Sequence, residues 1–161
     1  MNLNKSDYKI CVVGMGYVGL PLAARLSLKE FNVVGFDINE TRVQELCNNV
    51  DRNNDIELAN LKILNQNSQL TSNSSDIKDC NIFIITVPTP INDDKTPNLD
   101  PIIASSRLIG SLMMKESIII YESTVYPGVT DDICTPILEK ESNLLFNKDF
   151  STGYSPERIV P

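Results

Sequence analysis

Apolar residues in this chain gather into short unbroken runs, separated by longer stretches where they recur every three or four positions. Residues 8–13 (YKICVV), 31–37 (FNVVGFD), 81–87 (NIFIITV) and 117–121 (SIIIY) are runs of the first kind. They are rich in β-branched residues and predict buried strands. Residues 150–154 predict a last strand, and Leu70 marks a short one inside the polar stretch 67–79. Helical spacing fills the intervals. Val18, Leu22 and Leu26 lie four apart, with Pro21 near the first turn, where a missing N–H is best tolerated. Asn39 predicts the N-cap of a second helix, with Ile38 and Val43 at the two positions of a hydrophobic staple. Residues 48–55 read as a polar loop and 56–66 as a weak helix. Asp100 and Pro101 form an N-cap and Pro-at-N1 pair, opening a helix that turns Ile102, Ile109, Leu112 and Met113 inward. A further helix over 128–142 carries Pro136 as a kink. Strands that are apolar on both faces and alternate with helices predict an α/β fold: a mostly parallel sheet with helices on both faces.

The composition narrows what such a fold can do. With 161 residues, 42% of them hydrophobic and 22% charged, the chain suits one globular domain with its own core. A net charge of −7 argues against nucleic acid as a partner, because phosphate binding needs a basic face. There is no histidine, which removes the HExxH zinc site, the Ser-His-Asp triad and any His general base. Cys11, Cys47, Cys80 and Cys134 are too far apart in sequence for a CxxC pair or a zinc knuckle, so no metal is expected. The first three sit in or beside apolar or helical segments and read as reduced thiols of a cytoplasmic protein. No run approaches the ~18 apolar residues of a membrane span, and the N-terminus lacks a signal-peptide core.

The first strand runs straight into Gly14-Met15-Gly16-Tyr17-Val18-Gly19 and a helix follows, while Asp37 ends the next strand eighteen residues past Gly19. In that context GxGxxG is a dinucleotide-binding signature of a Rossmann-type, doubly wound sheet. Gly14 permits the tight turn, Gly16 lets a pyrophosphate approach the backbone, and Gly19 allows close packing of helix on sheet. The N–H groups near Tyr17 and Val18 then face the phosphates, aided by the helix dipole. Asp37 accepts from the adenosine ribose hydroxyls and repels a 2′-phosphate, favouring NAD over NADP. Arg42, five residues on, is placed either against the adenosine or on a solvated helix face.

Ligands of open α/β sheets lie outside the carboxyl ends of the strands. Two more such ends carry distinctive residues, Val87-Pro88-Thr89-Pro90 and Glu122-Ser123-Thr124, and a third precedes Ser155-Pro156-Glu157-Arg158. Thr89 and Thr124 can present hydroxyls to a ribose or nicotinamide. Glu157 can act as a base or hold a water, and Arg158 can pair with an anionic substrate. The alternatives are ordinary: prolines that break a strand, hydroxyls that end one, and an exposed Glu–Arg pair.

The segments VVGMGYVGLPLA, GFDINETRV, VPTP, YESTVYPG and GYSPERIVP occur in that order and cover most of the chain. Together they resemble the N-terminal NAD-binding domain of the UDP-glucose/GDP-mannose dehydrogenase family. The ESTVYPG and SPER versions are similar to the branch acting on UDP-N-acetylhexosamines for capsule and O-antigen sugars. The resemblance implies oxidation of the C6 hydroxymethyl of a UDP-sugar to a carboxylate, with two NAD⁺ reduced per turnover, and a full-length enzyme that is a homodimer or larger. It implies that Gly14, Gly16, Tyr17, Val18, Gly19, Asp37, Arg42, Val87, Pro88, Thr89, Ser123 and Thr124 line the cofactor. It makes Glu157 and Thr124 the catalytic candidates, with Glu157 helping a water hydrolyse a thioester, and sets Glu157, Arg158 and Ile159 against the sugar nucleotide. None of the four cysteines matches the motif of the family's nucleophile, which lies in a later domain. Residues 1–161 are therefore expected to be the cofactor portion of a longer enzyme, without its central helical and UDP-binding C-terminal domains. Alone they should bind NAD without turnover. Two other readings are the N-terminal domain of a β-hydroxyacid or 6-phosphogluconate type dehydrogenase, against which STVYPG and SPER speak, and a non-enzymatic NAD sensor, against which the Glu157–Arg158 pair speaks.

Overall fold

A computed structural model of the chain describes residues 4–156. Six strands form one sheet: β1 (Lys9–Val13), β2 (Asn32–Phe36), β3 (Gln69–Thr71), β4 (Ile82–Ile85), β5 (Ile118–Tyr121) and β6 (Ser151–Tyr154). All neighbours are parallel, in the order β3-β2-β1-β4-β5-β6. The chain winds outward from β1 through β3, returns to the middle at β4, and winds outward the other way. This is the doubly wound order, with its switch point between β1 and β4. The connecting helices are α1 (Gly19–Leu28), α2 (Glu40–Cys47), α3 (Leu58–Asn67), α4 (Asp100–Leu112) and α5 (Thr135–Ser142).

Side chains alternate across the sheet and so build two cores. Ile10 and Val12 of β1 join Val33 and Ile84 beneath α1 and α3. Cys11 and Val13 join Val34, Phe83 and Ile85 on the face covered by α4 and α5. The apolar stripe of α1 differs from the four-residue spacing expected. Leu20, Ala23, Ala24 and Ser27 are buried, whereas Leu22 and Leu26 sit at its margin. A strict spacing of four drifts around a helix of 3.6 residues per turn. Small alanines also let α1 lie close to the sheet, and hydrophobicity alone does not single them out.

Three local expectations change. Asn39 does cap α2, accepting from the Arg42 N–H at 3.1 Å, but Ile38 is 83% exposed and makes no staple. It stands on the wall of the crevice described below. The cap of α4 falls on Leu99, so Asp100 and Pro101 occupy the first turn, and Asn98 Oδ1 accepts from the Asp100 N–H at 2.8 Å. Before Pro136 the helix is of π type over Val129–Cys134, and α5 begins at Thr135. The proline offers no N–H to the preceding turn, so the break is a change of helix type. Thr135 Oγ1 donates to the Thr130 carbonyl across the junction at 2.9 Å.

Phe83→Ala should cost about 3–5 kcal/mol in urea unfolding, since Phe83 is fully buried in a central strand. Ile38→Ala should cost less than about 0.5 kcal/mol. A cost near 1 kcal/mol at Ile38 would show that the staple forms in solution.

Candidate functional site: a crevice at the switch point

Register decides which residues meet. Val13 lies opposite Phe36 on one side and Ile85 on the other, and Ile85 lies opposite Tyr121. Four strands therefore end level, and the next residues of each, Gly14, Asp37, Thr86 and Glu122, converge. Backbone bonds continue the ladder one step further. The Gly14 N–H donates to the Phe36 carbonyl at 2.8 Å, the Thr86 N–H to Val13 at 2.9 Å, and the Glu122 N–H to Ile85 at 2.8 Å.

The turn leaving β1 needs its glycines for three different reasons. Gly14 has φ +98°, a conformation that side chains disfavour. At Gly19 a Cβ would collide with the Gly14 carbonyl and the Thr86 hydroxyl. The helix thus packs against its own entry turn and the end of β4, rather than against the sheet in general. At Gly16 a Cβ would meet nothing within 4 Å, because it would project into open space. Thr86 Oγ1 sits 2.9 Å from both the Val13 and Gly14 carbonyl oxygens and locks the turn to β4. Sequence reasoning missed Thr86; its role comes from register with β1, which one sequence does not display.

Asp37 and Arg42 are held by the same loop. Asp37 accepts from the Met15 N–H at 2.7 Å and from the Asn39 N–H at 2.9 Å. Each carboxylate oxygen keeps a further lone pair for a ligand hydroxyl. Arg42 is not on a solvated face. It is buried, with Nε donating to the Met15 carbonyl at 3.0 Å and its two terminal nitrogens on Asp51 at 2.8 Å and Asp55 at 3.0 Å. One guanidinium therefore ties the glycine turn to the 48–55 loop. Burial pushes the Asp51 carboxyl up. The bond and charge of Arg42, with the Ile56 and Asn53 N–H groups, outweigh that and hold it below the usual carboxylate range.

Between these walls lies a crevice of about 680 Å³. Gly14, Gly16, Tyr17 and Val18 line one end with Asp37 and Arg42; Val87, Pro88, Ser123 and Thr124 line the other. Gly19 lies behind the turn. Ser123 Oγ donates to the Val87 carbonyl at 2.7 Å and joins the two strand-end loops, while Thr124 is exposed beside it. Thr89 is not on the crevice wall. Its hydroxyl is buried and makes no hydrogen bond among the described residues. Glu157, Arg158 and Ile159 lie outside the described residues. In the first turn of α1 the Leu20 and Leu22 N–H groups donate to the Gly16 and Val18 carbonyls at 3.0 and 3.3 Å and Pro21 has none; the backbone that lines the crevice is that of Gly16, Tyr17 and Val18, just ahead of the helix. A mostly apolar crevice of this size, with a few fixed polar groups and a helix N-terminus, fits a dinucleotide.

The four thiols are free. Cys11, Cys80 and Cys134 are buried; Cys47, at the end of α2, is exposed. The adjoining Cys80 sulfur, then burial, push the Cys11 thiol well up, so it stays protonated at neutral pH. Among the described residues no group of three His, Cys, Asp or Glu side chains could hold a metal, and no helix is long and apolar enough to cross a membrane.

Residues 8–161 match the UDP-glucose/GDP-mannose dehydrogenase family, NAD binding domain. The chain is 52% identical over 155 residues to a UDP-N-acetyl-D-glucosamine 6-dehydrogenase of Pseudomonas aeruginosa, covering 96% of this chain and 36% of that protein. It is 49% identical over 158 residues to the enzyme of the same name from Salmonella typhi, covering 96% and 36%. The solved structure of a UDP-D-ManNAc dehydrogenase from Pyrococcus horikoshii superposes with a TM-score of 0.87 at 31% identity, over 95% of this chain and 37% of that one. The chain thus spans little more than a third of the length of these relatives.

Arg42→Met should destabilise the fold by about 3–5 kcal/mol in urea unfolding, because it strands two buried carboxylates. The Asp51 contribution has a defined pH window. A depressed pKa stabilises fully above the ordinary carboxyl value of about 3.9 and is lost as pH falls through the folded value. The stability difference between wild type and Asp51→Asn should therefore be constant at neutral pH and shrink below about pH 4. A difference that does not change with pH would contradict the pairing.

Proposed function

The chain belongs to the UDP-glucose/GDP-mannose dehydrogenase family, and we propose that it is the cofactor-binding part of a nucleotide-sugar 6-dehydrogenase acting on a UDP-N-acetylhexosamine. Its cofactor is NAD. The observation that carries the reading is Gly16: it lines the crevice just ahead of α1, where a Cβ would meet no protein atom within 4 Å.

In this reading Gly16, Tyr17 and Val18 present backbone N–H groups to the pyrophosphate. Asp37, already oriented by two backbone donors, accepts from the adenosine ribose. Arg42 acts by fixing the turn and the neighbouring loop, since its Nε and both terminal nitrogens are engaged. Val87, Pro88 and Thr124 flank the nicotinamide end, with Ser123 holding Val87 in place. NAD, when bound, supplies the hydride acceptor. Taking a hydroxymethyl to a carboxylate removes four electrons and so consumes two such acceptors. Glu157, Arg158 and Ile159 complete the sugar side, Glu157 as the group that activates water. None of the buried cysteines can reach a substrate, and Cys47 lies on the outer end of α2, so the nucleophile must come from elsewhere in the enzyme.

The 161-residue chain should bind NAD⁺ in calorimetric titration and show no NAD⁺ reduction with UDP-N-acetylglucosamine. Gly16→Val should lower NAD⁺ affinity at least about tenfold by filling the pyrophosphate space. Its thermal midpoint should stay within about 2 °C of wild type. Unchanged affinity would place the pyrophosphate elsewhere, and turnover by the chain alone would refute the missing nucleophile.

A further inference from the structure

The cations of the adenosine end are spoken for. Arg42 and Arg52 are the two basic residues lining the crevice among the described residues. Arg42 is committed to Asp51, Asp55 and the Met15 carbonyl. Arg52 stands in the 48–55 loop and is held in two-point fashion by Glu45 of α2. Its Nε is 2.6 Å from Oε2, and a terminal nitrogen bonds Oε1. Glu45 does not itself line the crevice; it draws the Arg52 guanidinium onto the α2 side.

This arrangement has a consequence for coenzyme choice. A 2′-phosphate on the adenosine ribose would meet the Asp37 carboxylate and find no uncommitted guanidinium to offset its charge. Repulsion by Asp37 is the familiar half of the discrimination. We propose that Glu45 supplies a second half: by engaging Arg52 it denies a 2′-phosphate the more exposed of the two crevice-lining guanidinium groups, which makes Glu45 a positioning residue for NAD over NADP. The inference rests on NAD occupying this crevice.

The surrounding structure makes Arg52 separable from its loop. Asp51 is fixed by Arg42 and by the Ile56 N–H, and Asp55 by Arg42. Removing Glu45 therefore leaves the loop backbone anchored and releases only the Arg52 side chain, which is half exposed and lines the crevice. Glu45 lies in the last turn of α2, where alanine is well accommodated. An exposed ion pair shifts an equilibrium by up to about fivefold. Loss of a nearby negative charge and gain of an Arg–phosphate contact add to that.

The test is titration of the chain with NAD⁺ and NADP⁺ in wild type, Glu45→Ala and Glu45→Ala/Arg52→Gln. Glu45→Ala should tighten NADP⁺ about five- to tenfold with NAD⁺ within about twofold. The gain should fade between 0.1 and 1 M salt and vanish in the double variant. NADP⁺ affinity unchanged in Glu45→Ala, or a gain that persists without Arg52, would overturn the proposal while leaving the NAD site intact. Failure of wild type to bind NAD⁺ would overturn the crevice reading itself, and this inference with it.

Discussion

The structure turns on one close approach. The helix that follows β1 can start where it does only because Gly19 has no side chain to strike the Gly14 carbonyl and the Thr86 hydroxyl. Thr86 in turn bonds the carbonyls of Val13 and Gly14, so the turn is stapled to β4 across the switch point. Fixing the turn in this way sets the backbone of Gly16, Tyr17 and Val18, at the entry to α1, against the crevice. On the proposed reading the anion site is a by-product of how β1, β4 and α1 fit together, and its backbone donors are preorganised before any ligand arrives.

A second constraint is electrostatic. Arg42 draws the glycine turn, Asp51 and Asp55 to one buried guanidinium, while Asp37 binds the Met15 N–H from the other side. Met15 is gripped at both its N–H and its carbonyl. The residues that sequence reasoning sets against the adenosine therefore also hold the turn that receives the phosphates. A charge change at either position would disturb the geometry of the turn and, at Arg42, of the 48–55 loop as well.

Much of this was legible in the order of residues. β1, β4 and β5 are dense apolar runs, the GxGxxG turn lies between a strand and a helix, and Asp37 falls at the end of β2. Each is a local pattern with a local cause. What escaped depends on contacts between distant segments. Thr86 looks like the tail of a strand until β4 is set beside β1. Arg42 looks like any helix-surface arginine until residues 51 and 55 fold back over it. Ile38 has the right spacing for a staple and instead faces the crevice, because the chain leaving β2 turns there toward the ligand side. Thr89, expected along the cofactor, keeps a buried hydroxyl with no hydrogen bond among the described residues, while Val87 and Pro88 before it line the crevice. Spacing marks which residues are chemically able to serve; register and loop closure decide which of them are placed to do so.

The claim that the opening of α1 receives the cofactor's diphosphate can be observed residue by residue. In a ¹⁵N-labelled sample titrated with NAD⁺, the largest amide shifts should fall on Gly14, Gly16, Tyr17 and Val18, with a second group at Asp37 and Asn39. Shifts confined to the opposite end of the sheet, or to residues 125–131 and 152–154 beside β6, would contradict it.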